Sequence, residues 1–164
     1  MPATPDELAA RLRSLGIATT TIEHPPLFTV EESRALRGEI PGAHCKSLFL
    51  KDHKGALWLV VALEDGAIDL KALPRLIGSG RLSFGNADLM MEVLGVTPGS
   101  VTPFAVINDH ARRVTVVLDA GMMARDRLNY HPLVNTATTT IASADLAAFI
   151  RDCGHEPRIV GLSG

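Results

Sequence analysis

A mixed α/β fold, with antiparallel strand pairs in its sheet, is predicted by three features of this chain. Capped amphipathic segments alternate with short β-branched runs, and several of those runs are joined by hairpin-length turns. No internal repeat, linker or low-complexity tract interrupts the alternation.

The elements follow in order. Thr4-Pro5-Asp6-Glu7 sets a hydroxyl at an N-cap, proline in the first turn and glutamate three residues on, which is a capping box. Leu8, Leu12 and Leu15 then share one helical face, and Gly16 stops the helix. Residues 19–24 are rich in β-branched side chains and read as a strand, broken by Pro25-Pro26. A second capping box at Thr29-Val30-Glu31-Glu32 begins a short helix ending near Gly38. Residues 44–51 and 56–63 are two strands joined by the hairpin turn Asp52-His53-Lys54-Gly55.

Asp69 caps a helix holding Leu70, Leu73 and Leu76, with Pro74 in its first turns. Asn86 caps a helix over residues 87–94 that Gly95 ends. A loop over residues 96–103 follows. Residues 104–107 and 114–118 are expected to pair as strands across Asn108-Asp109-His110. Residues 137–141 read as a strand, Ser143 as the cap of a last amphipathic helix through Asp152, and residues 158–160 as a terminal strand.

The length, 164 residues, suits one domain spanning 1–164 with a sizeable core. Hydrophobic residues make up 46% and charged residues 21%, as in ordinary soluble domains. No apolar run approaches the roughly 18 residues of a membrane span, so no membrane association is expected. The first residues lack the basic and apolar regions of a signal peptide, so the expected location is cytoplasmic. Cys45 and Cys153 form no CxxC and read as reduced thiols.

The net charge of −2 argues against extensive wrapping of nucleic acid by charge alone. A local concentration remains: Arg34, Arg37, Lys46, Lys51 and Lys54, opposed by Glu39 and Asp52. Taken alone, it is a solvated surface. Neither phosphate-loop pattern is present, GxGxxG or GxxxxGK[ST]. HExxH, paired CxxC and GxSxG are missing too, and the six histidines show no metal-ligand spacing. A P-loop enzyme, a metalloenzyme and an α/β-hydrolase are all unsupported.

Four segments, in order, carry a resemblance. They are His24-Pro25-Pro26-Leu27-Phe28-Thr29-Val30-Glu31-Glu32, Cys45-Lys46-Ser47-Leu48-Phe49-Leu50, the stretch from Gly95 through Gly99-Ser100-Val101-Thr102-Pro103 to Phe104, and Asn129-Tyr130-His131-Pro132-Leu133-Val134-Asn135-Thr136 with the threonines that follow. Together they resemble the YbaK-like, prolyl-tRNA synthetase-associated editing domain family. Within it, the free-standing branch that deacylates alanyl-tRNA(Pro) is the nearest likeness. The resemblance implies a mixed, largely antiparallel, partly closed β-sheet with surrounding helices, agreeing with the element reading. It implies hydrolysis of a mischarged tRNA in trans, binding at the acceptor end, no DNA partner, and no metal or organic cofactor. Prolyl-tRNA synthetase or an elongation factor are the protein partners it allows.

The resemblance also implies roles. Lys46 matches a lysine on the strand entering the site, Gly99 to Pro103 a GxxxP loop framing the amino-acid end, and His131 a pocket wall. Lys46 and Gly99 are accordingly the catalytic candidates. Phe28, Thr29, Ser100, Val101, Thr102, Pro103, His131 and Asn135 are candidates for substrate binding, and Arg34 and Arg37 for the acceptor stem.

The chemistry suits such residues. Water attacks an ester carbonyl and an oxyanion develops, so fixed donors and a firm grip on the substrate are required. On a strand, Cys45 and Ser47 face one way and Lys46 the other. Lys46 then supplies a cation that positions the terminal nucleotide or polarises the carbonyl. The glycine loop offers backbone N–H groups, with Pro103 stiffening its exit. His131 has the pKa range of a general base, but the wall reading is preferred. The substrate's vicinal ribose hydroxyl can assist its own hydrolysis.

Thr29 by itself is an N-cap, and Asn108 and Asn135 are either turn or sheet residues or polar groups near the pocket. Trp58 reads as core, and Trp58 with Tyr130 is too little for a stacking platform. A Cys45 thiolate is rejected because strand alternation parts it from Lys46. The sister activity on cysteinyl-tRNA(Pro), editing of another mischarged tRNA, and a non-catalytic aminoacyl-tRNA or synthetase-binding module are the rival readings.

Overall fold

The computed structural model describes residues 2–26 and 40–162. Helix α1 (Pro5–Ser14) begins at the expected capping box, with Thr4 accepting from Glu7 N–H and Glu7 from Thr4 N–H. Leu8 and Leu12 are buried, and Gly16 ends the turn with φ +74°. Leu15, expected on the same face, is the C-cap and is 37% exposed. Strand β1 (Thr19–Glu23) follows.

Strands β2 (Ala43–Asp52) and β3 (Leu57–Leu63) form the long antiparallel hairpin. Asp52 explains its turn: the buried carboxylate accepts from Lys54 and Ala56 N–H at 2.9 Å each, and from Gly80 N–H at 3.2 Å. Burial works to raise its pKa, but these backbone donors outweigh it and hold the carboxyl below the usual range.

Helix α2 (Leu73–Ile77) is shorter than predicted, because Asp69 directs an Asx turn to Lys71 N–H and the regular helix starts only afterwards. Then come β4 (Leu82–Phe84) and α3 (Ala87–Leu94), the latter capped by Asn86 and ended by Gly95 as expected. The segment over 104–107 is not a strand. Pro103–Asn108 is a 3-10 helix whose cap, Thr102, accepts from Phe104 N–H. Proline at its first position and four consecutive buried side chains suit a short buried helix, and an apolar run alone does not separate this from a strand. Its expected partner β5 (Val114–Asp119) pairs with other strands, in parallel.

Helix α4 (Ala120–Met123), capped by Asp119, and strand β6 (Arg127–Tyr130) are too short to announce themselves by periodicity. Strand β7 (Ala137–Ala142) leads into α5 (Ser143–Asp152), whose N-cap is Ala142 with Ser143 as first helical residue, and β8 (Arg158–Val160) closes the chain.

The eight strands form one mixed sheet in the order β1-β7-β6-β2-β3-β5-β8, with β4 also on β2. Four pairings are antiparallel (β1/β7, β6/β7, β2/β3, β2/β4) and three parallel (β2/β6, β3/β5, β5/β8). Strand β2 is the pivot. It pairs β6 at Ala43 and His44, β3 from Cys45 to Lys51, and β4 at Leu50 to Asp52. Alternation divides the packing in two. Ala43, Cys45 and Phe49 of β2 face the larger core, with α1, α3 and α5; Leu48 and Leu50 face a smaller core with Trp58, Val60 and α2. No helix among the described residues is long and apolar enough to cross a membrane.

Candidate active site

Lys46 lies on the face of β2 that carries Leu48 and Leu50, while Cys45 packs against the larger core, as the alternation requires. Its cross-strand neighbour is the small Ala62, and its half-buried ammonium donates to the carbonyl of Gly66 in the turn after β3. A cation fixed by a backbone carbonyl is a located point charge.

The entry of β2 is held by a residue that pattern reading passes over. Buried Asn129 of β6 donates from Nδ2 to the carbonyls of Pro41 (3.1 Å) and Ala43 (3.2 Å), and its Oδ1 accepts from Thr140 of β7. Gly42 passes this amide at φ +101°, where a Cβ would stand 3.0 Å from Asn129 Nδ2 and 3.1 Å from Arg127 O. A side chain there is strained by the backbone angle and tightly pressed by both neighbours. An asparagine in a four-residue strand gives no sequence signal beyond its burial.

Strands β2 and β6 run parallel, with His44 opposite Asn129. Lys46 and His131 therefore each stand two residues past the last pair, where the strands part. Lys46 lies on the face opposite the larger core, into which Leu128 and Tyr130, like Ala43, point.

His131 Nδ1 lies 3.2 Å from the carbonyl of Ala137, so the ring donates from Nδ1 and leaves the Nε2 lone pair available when neutral. Burial pushes its pKa below the ordinary histidine range; the bond to Ala137 resists this and the nearby His24 adds to it. His24 in turn donates from Nδ1 to Pro25 O and accepts at Nε2 from Thr138, each at 2.8 Å. The loop after His131 is anchored by Leu133, which is buried in the larger core at φ +73°, a conformation that costs a leucine about 1–2 kcal/mol. His24 and Leu133 both lie in segments that carry the resemblance, but neither was given a role.

In the glycine loop, Ser100, Thr102 and Pro103 are buried and Val101 packs half-buried against the larger core. Gly99 is left exposed. A Cβ on Gly99 would lie 3.3 Å from Asn135 Nδ2, so the structure brings this loop against the loop carrying His131. Asn108 resolves differently: it donates to Leu94 O and accepts from Ala3 N–H, each at 2.8 Å, clamping the chain start to the end of α3. Among the described residues, Lys46 bonds Gly66 O rather than either loop. Phe28, Thr29, Arg34 and Arg37, and the helix expected after Thr29, lie outside the described residues.

Cys45 sits where its thiolate is disfavoured. Burial raises its thiol to about 11 despite hydrogen bonds from Tyr130 and the Asn129 backbone. Among the described residues, no group of three or more His, Cys, Asp or Glu side chains is disposed to hold a metal ion.

Residues 24–149 match the aminoacyl-tRNA editing domain family. The bovine prolyl-tRNA synthetase associated domain-containing protein 1 is 39% identical over 160 residues, covering 94% of this chain and 93% of that protein. The prolyl-tRNA editing protein ProX of Acetoanaerobium sticklandii is 39% identical over 154 residues, covering 93% and 94%. A crystal structure described as a candidate trans-editing enzyme for prolyl-tRNA synthetase superposes with a TM-score of 0.74 at 20% identity, over 100% of this chain and 99% of that one, and shares the fold. The chain thus belongs to the aminoacyl-tRNA editing domain family and is an enzyme of that class, an aminoacyl-tRNA deacylase.

Proposed function

We propose that the protein removes alanine from mischarged tRNA(Pro), acting in trans as one free-standing editing domain. The observation that carries this reading is the register of β2 and β6, whose last pair, His44 and Asn129, lies two residues before Lys46 and His131. Support for the tRNA comes from a relative named as a prolyl-tRNA editing protein and another named as a prolyl-tRNA synthetase associated domain-containing protein, each matched along nearly its whole length.

The substrate bond is an ester between alanine and the terminal ribose. Lys46, held at Gly66 O, places positive charge toward the terminal nucleotide or the carbonyl on which negative charge builds. Gly99, without a side chain, lets the substrate approach a backbone N–H. His131, whose neutral form burial favours, forms a wall and in that form offers an acceptor lone pair at Nε2. Water attacks the carbonyl, the vicinal ribose hydroxyl relays the proton, and the ribose oxygen leaves with it. Ser100 to Pro103 and Asn135 shape the amino-acid pocket, Phe28 and Thr29 line the acceptor end, and Arg34 and Arg37 reach the acceptor stem. Prolyl-tRNA synthetase or an elongation factor hands over or collects the tRNA.

A site of this kind answers a physical limit. A pocket built for proline rejects smaller alanine by only about 1–3 kcal/mol per missing methylene, so a second, smaller sieve is needed. The test is to incubate the protein with tRNA(Pro) charged with alanine, cysteine or proline and follow ester loss. Loss of alanine alone is expected. Preferential loss of cysteine moves the chain to the sister specificity, and binding of all three without hydrolysis overturns the reading.

A further inference from the structure

The sheet face that carries Lys46 changes character across its width. Over β3 and the later part of β2 it is apolar, the smaller core of Leu48, Leu50, Val60 and Ala62. Toward β1 it is polar and still buried. Asn129 lies on this face, because its neighbours Leu128 and Tyr130 point into the larger core. Its register partners are His44 of β2 and Thr140 of β7. Alternation then adds Lys46 and Thr138. Each stands two residues on from the Asn129 row in the same direction, since β2 runs parallel and β7 antiparallel to β6. Lys46 and Thr138 are thus level, on strands that stand two spacings, about 10 Å, apart at that row.

Thr138 is 7% exposed, and one bond fixes its polarity. Pro25 O only accepts, so the His24 ring, 2.8 Å away, donates from Nδ1, and its neutral form presents a lone pair at Nε2. Thr138 Oγ1 lies 2.8 Å from that nitrogen and donates to it. The hydroxyl proton is committed, and what remains at Oγ1 is acceptor capacity. The residue before does the same to His131: Ala137 O takes the Nδ1 proton and leaves Nε2 an acceptor in the neutral ring. Asn129 and Thr140 spare no donor either, since the amide nitrogen serves Pro41 O and Ala43 O and the Thr140 hydroxyl serves Asn129 Oδ1. Spare acceptors on a buried polar face suit a group that only donates, above all a charged one.

An amino acid esterified to tRNA carries one such group, its α-ammonium, which like any ammonium has N–H donors and no acceptor. We propose that Thr138 is a substrate-binding residue: its hydroxyl, fixed as an acceptor by His24, receives the α-ammonium of the esterified amino acid. Lys46, level with it across the sheet, serves the oxygen-bearing end of the ester, so the two positive charges are kept apart. This rests on the reading of an aminoacyl ester as substrate. The ammonium is common to all the amino acids, so it is independent of which one is removed.

The test is kcat/KM for alanyl-tRNA(Pro) beside propionyl-tRNA(Pro), the same ester with hydrogen in place of the ammonium. The wild type should prefer the alanyl ester. Thr138→Val keeps the shape and removes the acceptor; it should lower kcat/KM for the alanyl ester on the order of tenfold and leave the propionyl ester unchanged. Thr138→Ser should restore the alanyl ester. His24→Phe, which releases the hydroxyl proton, should give a smaller loss, again on the alanyl ester alone. An equal loss on both esters, no loss on either, or no rescue by serine overturns the role of Thr138 and leaves deacylation by the wild type standing. If the wild type releases another amino acid instead, the same comparison is read on that ester and its analogue without the ammonium. No hydrolysis of any charged tRNA(Pro) by the wild type overturns the deacylation reading and the role of Thr138 together.

Discussion

Lys46 and His131 stand in register, each two residues beyond the paired His44 and Asn129 of parallel strands β2 and β6. The relationship depends on β2 starting in the right place, and Asn129 ties down that start through the carbonyls of Pro41 and Ala43. One short ladder therefore sets Lys46 and His131 at matching positions on two neighbouring strands.

The contact between Gly99 and Asn135 sets how closely their two loops approach. Gly99→Ala would press a methyl to 3.3 Å from Asn135 Nδ2, with no backbone obstacle at this position. Deacylation should fall by about tenfold while the melting temperature stays near wild type. Asn135→Ala removes the obstructing amide, so the double variant should recover much of the loss. Additive losses in the double-mutant cycle would mean that the two residues do not act through each other.

His131 predicts a pH dependence of stability. Its folded pKa lies below the ordinary 6.5, so the unfolded chain binds more protons than the folded one as the solution is acidified. The stabilisation is full above about 6.5 and is lost as pH falls toward the lowered folded value. Melting temperature measured between about pH 7.5 and 5 should therefore fall less steeply for His131→Asn than for the wild type. Equal slopes would show that the ring is not held neutral by its burial.

Cys45 tests the chemistry from the other side. A thiol at about 11 is ionised at pH 8 in on the order of one molecule in a thousand, so alkylation by iodoacetamide should be slow in the native protein. Cys45→Ala should deacylate at the wild-type rate. A large loss of activity with the fold intact would make the thiol part of the reaction.

Much of this was legible in the sequence where local chemistry decides structure. The capping box at Thr4, the Asn86 cap with Gly95, and the Asp52–Gly55 turn each satisfy backbone groups within a few residues, and each formed as read. The 3-10 helix after Thr102 was misread because four buried apolar residues fit either period. Strands β4 and β6 were invisible because three or four residues hold no pattern, yet β6 positions Asn129. Alternation placed Cys45 and Lys46 on opposite faces. It was silent on the register that sets Lys46 beside the path of His131, since parallel pairing is a long-range choice.

Fold and site separate most cleanly at Asp109 and His155. The buried carboxylate accepts from Arg113 and Val114 N–H at 3.0 Å and from His155 Nε2 at 2.9 Å, joining the turn before β5 to the end of α5. Asp109→Ala leaves these donors buried without an acceptor and should cost about 3–5 kcal/mol in chemical denaturation. Activity per folded molecule should not change. A specific loss of activity at full stability would extend the site to this pair.

The most direct measurement is single-turnover loss of the ester from alanyl-tRNA(Pro), run with wild type and Lys46→Ala. Rapid release of alanine by the wild type, reduced by about a hundredfold or more in the variant while tRNA binding and melting temperature hold, is the predicted result. Hydrolysis by Lys46→Ala at the wild-type rate would contradict the account, because the charge fixed at Gly66 would then have no part in the reaction.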